Sequence, residues 1–331
     1  MDFWKQLLKN QNVGNVDFFH LDLKRYGQVN KDKIIYLINE DNKDFGFFAM
    51  YRTWIEYLYF ADVCNYVPVV CAGENFLYKE TTMVHGTGNP FEYYFEQPAA
   101  INIQEVKRSN KVIVSDLVHR QMVELIFTGK YNHYKYTKRY MNAMGHTVKK
   151  YIRFNEYTMK YIDNGVKKLR LEGEKVLGIH VRGTDFRARY DNHPVYVTEE
   201  DCFNEIDQML DDKVYNKIFL ATDDERVLKN FSDRYGKLVS FYEDVKRSNK
   251  NQSVAFSQSK RRNHKYLLGL EVIRDMHTLS MCAGLVAGIS QVAICAQINK
   301  LARGEQYNDL KIIDKGINVN NHIFSRCGKK L

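Results

Sequence analysis

The C-terminal half of the chain alternates between short apolar runs and longer runs with helical periodicity. The apolar runs lie at 176–181, 218–222, 237–241, 284–289 and 311–313, and the helix-like runs lie at 199–211, 224–235, 266–282 and 291–303. Strands that alternate with helices of this length predict βαβ units and a parallel sheet. Within the third helix-like run, Leu268, Val272 and Met276 recur at helical spacing, so we expect them in the core. The fold class predicted for this half is α/β.

The N-terminal half is less regular, but its pattern also indicates an α/β unit. The predicted strands are 33–39 and 67–70, and the predicted helices are the run after Gly46, 115–128 and 134–168. The polar stretch 167–175 marks a boundary between the two halves. We therefore expect two domains, 1–168 and 169–331, which is an ordinary division for a chain of 331 residues.

Composition places the chain among globular proteins, with 44% hydrophobic and 27% charged residues. No stretch reaches the roughly 18 apolar residues that a membrane span requires, and the apolar core of the N-terminus is too short for a signal peptide. Phe3, Trp4, Leu7 and Leu8 share one helical face, which favours a packed first helix over an interfacial membrane helix. The six cysteines form no CxxC pair. A reduced, cytoplasmic protein is expected, with peripheral contact to anionic membrane as a further expectation.

The formal net charge of +9 suits an anionic partner such as nucleic acid, anionic lipid or a phosphorylated substrate. No basic-aromatic RNA-binding motif is present, so nucleic acid is not an expected partner. Solvated basic faces explain the charge equally well. The sequence also lacks GxxxxGK[ST], HExxH and GxSxG, which argues against a P-loop nucleotide site, a zinc protease and an α/β-hydrolase.

The segment VLGIHVRGTDF, residues 176–186, ends an apolar strand in His180, Arg182 and Asp185. Ligands of open α/β sheets bind at the carboxyl ends of parallel strands, where these three side chains are expected. An arginine fork suits phosphate oxygens, which it can hold through paired charge-assisted hydrogen bonds. The alternative is a strand-end arginine in a structural ion pair.

Two later segments carry further polar groups at strand ends. IFLATDDER, residues 218–226, breaks into Thr222, Asp223 and Asp224. These acids follow a strand and precede a helix, so we expect them to cap that helix or to bind a sugar hydroxyl rather than a metal.

The second of these segments, residues 271–291, places Asp275 on an apolar helix and ends in Ser290 and Gln291. A carboxylate on an apolar helix face requires a partner. That partner is either a donor group of a ligand or a cation such as Arg274.

The order and wording of these three segments resemble the motifs of the α1,6-fucosyltransferase superfamily, which run roughly HxRRxD, LATDD and D-x-x-x-LS…SSQV. The resemblance covers about residues 171–316. It implies a GT-B glycosyltransferase architecture, with two Rossmann-like domains facing a cleft, an acceptor-side domain at 1–168 and a nucleotide-sugar domain at 169–331. One departure is Gly183, which stands where the family has its second Arg and removes one cation from the donor site.

The resemblance also implies a set of donor-binding residues and a metal-independent reaction without a cofactor. Arg182 and the helix that begins near Ser290-Gln291 would hold the diphosphate. The donor site implied by the motifs comprises His180, Arg182, Gly183, Thr222, Asp223, Asp224, Asp275, Ser290 and Gln291. Within it, His180 and Asp275 match the family's guanosine-binding residues, which implies a guanine N1–H/N2–H pair as the partner of Asp275. Catalysis would rest on Arg182 and on a base that takes the acceptor proton. The presumed family base is a Glu five residues after the motif Asp, a position held here by Tyr190, so the base is assigned to Asp191 or Asp185.

Two other stretches are candidates for substrate contact. Residues 246–265 form a long polar segment that carries Arg247, Arg261 and Arg262, and a segment of this kind predicts a lid over the donor or an ordinary surface insertion. The stretch NPFEYYFEQP offers aromatic rings and carboxylates of the kind that sugar recognition uses. Acceptor contacts are assigned there to Glu92, Tyr93, Tyr94 and Glu96, with a buried aromatic corner as the alternative.

The favoured function is transfer of L-fucose from GDP-β-L-fucose to a glycan hydroxyl with inversion, in the synthesis of a bacterial-type surface polysaccharide or glycoconjugate. The partners are then a nucleotide-sugar donor and a glycan acceptor. The alternatives are a related glycosyltransferase with another sugar-nucleotide donor, which Gly183 would permit, and a noncatalytic protein that binds nucleotide or glycan.

Overall fold

The computed structural model describes residues 22–128, 136–211 and 214–319. The helix predicted around Phe3–Leu8 lies outside these ranges. The chain divides into two compact units, the first from residues 1–45 and 49–155 and the second from 46–48 and 156–331. In the described ranges, no helix is both long enough and apolar enough to cross a bilayer.

The first unit is built on a four-stranded sheet. Its strands are β1 (Leu23–Lys24), β2 (Ile35–Glu40), β3 (Val67–Ala72) and β4 (Val112–Val114), in the order β1-β4-β2-β3. Of these four strands, the short β1 runs antiparallel to its neighbour and the others run parallel. The helices are α1 (Phe47–Val63), α2 (Ile103–Val106), α3 (Leu117–Thr128) and α4 (Lys138–Tyr151). The strands predicted at 33–39 and 67–70 and the helices predicted after Gly46 and at 115–128 are therefore confirmed, whereas the helical run predicted at 134–168 is divided at residues 152–155.

The aromatic stretch that follows β3 lies in the core of the first unit. Tyr93 and Tyr94 are each 0% exposed, and Phe91 packs edge-on against Trp54 at 5.2 Å between ring centroids. Rings buried in this way cannot stack on an acceptor sugar, so the assignment of Tyr93 and Tyr94 to acceptor binding is wrong. The alternative, a buried aromatic corner, is the arrangement found.

The two carboxylates of the same stretch differ in their surroundings. Glu92 is half-buried and accepts hydrogen bonds from Thr87 Oγ1 at 2.5 Å and Gln97 Nε2 at 2.7 Å. These bonds give Glu92 a structural role in fixing the turn. Glu96 is exposed, and its part in acceptor binding stays a prediction.

The second unit contains five parallel strands. They are β5 (Val176–Val181), β6 (Lys217–Thr222), β7 (Val239–Ser240), β8 (Gly284–Gly288) and β9 (Asp309–Ile313). The helices are α5 (Glu156–Leu169), α6 (Glu199–Asp211), α7 (Glu225–Tyr235), α8 (His264–Met281) and α9 (Gln291–Ala302). The strand order is β7-β6-β5-β8-β9, so the direction of winding reverses between β5 and β8. The α/β class is confirmed, with a mainly parallel sheet in each unit as the GT-B prediction requires.

Helix α5 belongs to the second unit, which moves the boundary from residue 168 to residue 155. The guanidinium of Arg274 in α8 lies over the ring of Tyr161 in α5, 4.4 Å from its centroid. Gly165 permits this approach, because a Cβ there would lie 2.5 Å from Arg274 Cδ. The polar composition of 167–175 suggested a domain boundary, but the packing of α5 on α8 decides where the unit begins.

Candidate functional site

The first and third motifs meet where the strand order of the second unit reverses. His180 lies at the carboxyl end of β5, and its Nδ1 is 3.1 Å from the hydroxyl of Ser290, which follows β8. Such a reversal opens a crevice outside the strand ends, where ligands of open α/β sheets bind. Burial, together with the nearby charge of Arg182, lowers the pKa of His180 to about 3. The imidazole is therefore neutral near pH 7.

Ser290 also begins helix α9. Its side chain accepts a hydrogen bond from the backbone N–H of Ala293 at 3.1 Å, which is the usual geometry of an N-cap. Gln291 is the first residue of the helix. The remaining N–H groups of this first turn and the positive end of the helix dipole suit an anion. The structure thus places Ser290 and Gln291 as their sequence position predicted.

Arg182 is held by three side chains at the end of β5. Its Nη2 is 2.8 Å from Asp185 Oδ1, its Nη1 is 2.7 Å from Asp223 Oδ2, and Nη2 also donates to Ser253 Oγ at 3.1 Å. The side chain remains 28% exposed. Arg182 therefore has the structural ion pairs that were the alternative interpretation of this motif, and it also keeps an accessible face for a ligand.

Asp223 and Asp224 both have protein partners. Asp223 accepts hydrogen bonds from the backbone N–H of Gly183 at 3.0 Å and from Thr184 Oγ1 at 2.7 Å. Asp224 caps α7 by accepting from the N–H of Arg226 at 2.9 Å. Although burial acts in the opposite direction, bonds from Arg226 lower the pKa of Asp224. The helix-cap interpretation is confirmed for Asp224, whereas Asp223 fixes the loop after β5.

Thr222 supports the same strand end from within. It is buried, and its Oγ1 accepts a hydrogen bond from the backbone N–H of Asp224 at 3.2 Å. Across the described ranges, no group of three or more His, Cys, Asp or Glu side chains is arranged to hold a metal ion. Metal independence stays a prediction.

The departure at Gly183 has a steric cause. A Cβ at this position would lie 2.2 Å from the Cβ of Asp224, so no larger residue fits without movement of the α7 cap. Arg187 supplies a cation close to this position. Its Nε is 3.1 Å from Asp224 Oδ2, and its Nη2 is 2.8 Å from Glu199 Oε1. Sequence reasoning missed Arg187. A basic residue in the turn that follows the motif was the available signal.

Asp275 is a buried carboxylate without a hydrogen bond to any described residue. It is 7% exposed, and burial raises its pKa to about 7 against the opposing effect of Arg247 and Arg274. Arg274 pairs instead with Asp244, at 2.5 Å and 3.2 Å. The alternative partner considered for Asp275, a salt bridge to Arg274, is therefore wrong.

The polar segment 246–265 packs along the same strand ends. The backbone N–H of Ser248 donates to the carbonyl of Asp223 at 3.0 Å, and Ser253 contacts Arg182 as described above. Sequence reasoning did not single out Ser253, because a serine in a polar segment carries no distinguishing pattern. The segment reaches the candidate site, and its closure as a lid stays a prediction.

The three arginines of this segment differ in exposure. Arg247 is buried and donates to the carbonyl of Tyr242 at 2.9 Å. Arg261 is half-buried and pairs with Glu271. Arg262 is exposed. Of the three, Arg262 is the one exposed enough to bind a phosphate as part of a mobile lid.

The two candidates for the base also differ. Asp185 is 3% exposed and accepts from Arg182 and, at 3.3 Å, from Thr184 Oγ1. Asp191 is half-buried in the turn after the buried Tyr190. An acid that is bonded to a cation and sealed from solvent is a poor proton acceptor for an incoming hydroxyl. Asp185 is therefore the poorer candidate, and the assignment of the base to Asp191 stays a prediction.

Solved structures of two fucosyltransferases are similar to this chain. Among curated proteins, none is similar enough to count as a match. Among solved structures, the fucosyltransferase NodZ from Bradyrhizobium is 14% identical, with 82% of this chain and 93% of that chain covered and a TM-score of 0.47. POFUT1 in complex with GDP-fucose is 9% identical, with 87% and 99% covered and a TM-score of 0.46.

A family model spans the helices and strands that carry the site. The model of the alpha-(1,6)-fucosyltransferase N- and catalytic domains matches residues 136–306, which is just over half of the chain. The matched range contains all three motifs, from His180 to Gln291. The chain is a glycosyltransferase that belongs to the alpha-(1,6)-fucosyltransferase family.

Proposed function

We propose that this protein transfers L-fucose from GDP-β-L-fucose to a hydroxyl group of a glycan, with inversion at the transferred carbon, in the synthesis of a surface polysaccharide or glycoconjugate. The observation that carries the proposal is the contact between His180 and Ser290 at the reversal of strand order. It brings the motif that holds Arg182 to the N-terminus of α9. A cation and a helix N-terminus at one crevice suit a diphosphate.

Arg182 stabilises the charge of the departing diphosphate. The C1–O bond to the β-phosphate breaks as the acceptor oxygen attacks, and the bonding electrons leave with the GDP oxygen. Arg182 is fixed by Asp185 and Asp223, so little reorganisation is needed when that charge develops. The N–H groups at the start of α9 add donors to the same phosphates.

Asp275 recognises the guanine base. Its buried carboxylate lacks a protein hydrogen bond in the described ranges, and the N1–H and N2–H groups of guanine supply two parallel donors for it. His180 acts as a neutral group toward the nucleoside, because burial and the charge of Arg182 lower its pKa to about 3. Its Nδ1 contacts Ser290, and we assign Nε2 to the ligand.

The proton of the acceptor hydroxyl passes to Asp191 as the new bond forms. A single displacement by that hydroxyl converts the β-linked fucose of the donor to an α-fucoside. No step of this scheme uses a metal ion. The first unit supplies the acceptor side in this proposal.

A nucleotide screen tests the proposal directly. We expect GDP to raise the melting temperature of the full-length protein more than UDP, ADP or CMP at equal concentration, because a ligand that binds only the native state stabilises it. GDP release from GDP-fucose in the presence of glycan acceptors then reports transfer. Equal or greater stabilisation by UDP would contradict the guanine assignment and favour another sugar-nucleotide donor.

A further inference from the structure

Two buried groups of opposite charge lie near each other in the second unit without forming an ion pair. Arg247 and Asp275 are each 7% exposed, and each is the strongest attractive charge acting on the other. Neither has an ion-pair partner in the described part of the chain. Buried charges are normally paired, because an uncompensated charge in a protein interior is unfavourable. Each of the two charges is therefore suited to a hydrogen bond with a polar group of a ligand.

Arg247 is held in place by the backbone around it. Its Nη2 donates to the carbonyl of Tyr242 at 2.9 Å, and its Nη1 donates to the carbonyl of Val245 at 3.3 Å. The preceding N–H, that of Lys246, donates at 2.9 Å to the carboxylate of Glu271, which lies one helical turn before Asp275 in α8. These bonds fix the guanidinium beside the helix face that carries Asp275.

The guanidinium of Arg247 has donors to spare. A guanidinium carries five N–H groups, and the two carbonyl bonds leave three of them without an acceptor among the described residues. One of the three is at Nε, which is sealed from solvent and has no hydrogen-bond partner in the described part of the chain. A buried arginine with unused donors, attracted most strongly by an unbonded buried carboxylate, presents both halves of a recognition pattern.

We propose that Arg247 donates a hydrogen bond to O6 of the guanine base while Asp275 accepts from N1–H and N2–H. This inference rests on the proposed use of a guanine nucleotide and adds a second specificity-determining residue to it. The edge of guanine presents one acceptor followed by two donors. Adenine and cytosine place a donor where guanine has O6, and uracil places an acceptor where guanine has N2–H. An arginine beside a carboxylate therefore selects guanine among the four bases.

The experiment measures dissociation constants by calorimetry for three diphosphates. GDP presents the whole edge, 6-thio-GDP replaces O6 by a poorer acceptor, and IDP lacks the 2-amino group. We expect the wild-type protein to bind GDP on the order of tenfold more tightly than either analogue, as the loss of one hydrogen bond to a charged group predicts. If the wild-type protein binds GDP and 6-thio-GDP equally well, the role of Arg247 is overturned without any variant.

Variants then assign each preference to a residue. In Arg247→Met the preference for GDP over 6-thio-GDP should vanish while the preference for GDP over IDP remains. Asp275→Asn should show the reverse pattern. Arg247→Lys keeps the positive charge and allows the same measurement if Arg247→Met does not fold. It should retain only part of the preference, because an ammonium lacks the planar fork. Lys250→Met removes an exposed cation from the same segment and should change neither ratio.

The outcomes separate this inference from the proposed function. If both Arg247 variants bind GDP and show the wild-type ratio of the dissociation constants for GDP and 6-thio-GDP, the inference about Arg247 is overturned. The proposed use of a guanine-nucleotide donor is not affected by that result. Failure of the wild-type protein to bind GDP in preference to UDP overturns both. The inference is supported if Arg247→Met loses the preference for GDP over 6-thio-GDP but keeps the preference for GDP over IDP.

Discussion

The two units treat buried charge in opposite ways. In the first unit, Arg52, Glu56, Arg120 and Glu124 are between 0% and 3% exposed, and each has at least two ion-pair contacts within this four-charge cluster. Arg52 Nη1 is 2.5 Å from Glu56 Oε1, and the hydroxyl of Tyr140 donates to the same oxygen at 2.6 Å. In the second unit, Arg247 and Asp275 are similarly buried but have no ion-pair contact in the described ranges.

This difference separates a structural role from a binding role. Each charge of the four-charge cluster is compensated by ion pairs with other members of the cluster. The separated charges of the second unit are satisfied only when another polar group arrives. Burial alone therefore does not identify a site, and the proposed guanine site rests on buried charges that have no ion-pair partner among the described residues.

Breaking the compensation in the first unit should have the largest effect on stability. Glu56→Gln keeps the shape but leaves the buried arginines with one carboxylate, and we expect the free energy of unfolding to fall by about 3–5 kcal/mol. Glu74→Gln removes an exposed carboxylate of the same unit and should change it by less than about 1 kcal/mol. Urea denaturation measures both. A loss below about 1 kcal/mol for Glu56→Gln would show that the cluster is not held by its charges.

Removing Arg182 should act mainly on the reaction. Arg182→Ala should lower turnover on the order of 10²–10³-fold, because the cation matters most as the diphosphate departs. Arg182→Lys should recover part of the rate, and Lys250→Met is the control that also removes one cation. Steady-state kinetics with GDP-fucose gives the rates. Near-normal turnover in a folded Ala variant would make Arg182 a structural residue and move the phosphate role to Arg262.

Asp275→Asn should weaken GDP binding without weakening the fold. The loss of a charged acceptor predicts about 1.5–3 kcal/mol in binding. The folded-state pKa of Asp275, about 7, is raised above its ordinary value, so the native state binds more protons between roughly pH 4 and 7 and wild-type stability falls as pH rises through this range. Asp275→Asn removes this penalty.

The stability of Asp275→Asn relative to wild type should therefore increase by roughly 1.4 kcal/mol per pH unit between about pH 4 and pH 7 and then level off. The charges that face Asp275 are Arg247, Arg274, Glu271 and Asp244. Asp244→Asn breaks a formed pair with Arg274 and should destabilise the protein instead. Thermal denaturation across this pH range measures both variants. A variant Asp275→Asn that is less stable than wild type at about pH 8, above the pKa of this carboxyl, would contradict the assignment of Asp275 as an uncompensated charge.

The smallest effect is expected for a chelator. Asp223 and Asp224 already have arginine partners, so we expect transfer activity to survive excess EDTA with less than a twofold change. Activity is compared with and without EDTA, and then after addition of manganese or magnesium. A loss of tenfold or more, about 1.4 kcal/mol, that a divalent ion restores would make these two carboxylates metal ligands.

Local pattern was enough to predict most of the second unit. The strand predicted at 176–181 is β5, Val176–Val181, and the helix predicted at 199–211 is α6, Glu199–Asp211. This agreement follows from the hydrophobic periodicity of the sequence, because apolar runs of about six residues between runs of helical periodicity are compatible with few other secondary structures. The N-cap of α9 at Ser290 was also readable from residue order, because a polar residue after a buried strand begins the next helix.

The sequence by itself determined the elements of the second unit and the residues that end its strands, since both depend on neighbours along the chain. Only the tertiary structure decided which of these residues share a site. Strand order brings His180 to Ser290, although 110 residues separate them. The approach of Asp224 requires Gly183, and the pairing of Arg274 with Asp244 leaves Asp275 unbonded. Compensation of a buried charge is a property of three-dimensional neighbours, and no spacing along one chain specifies it.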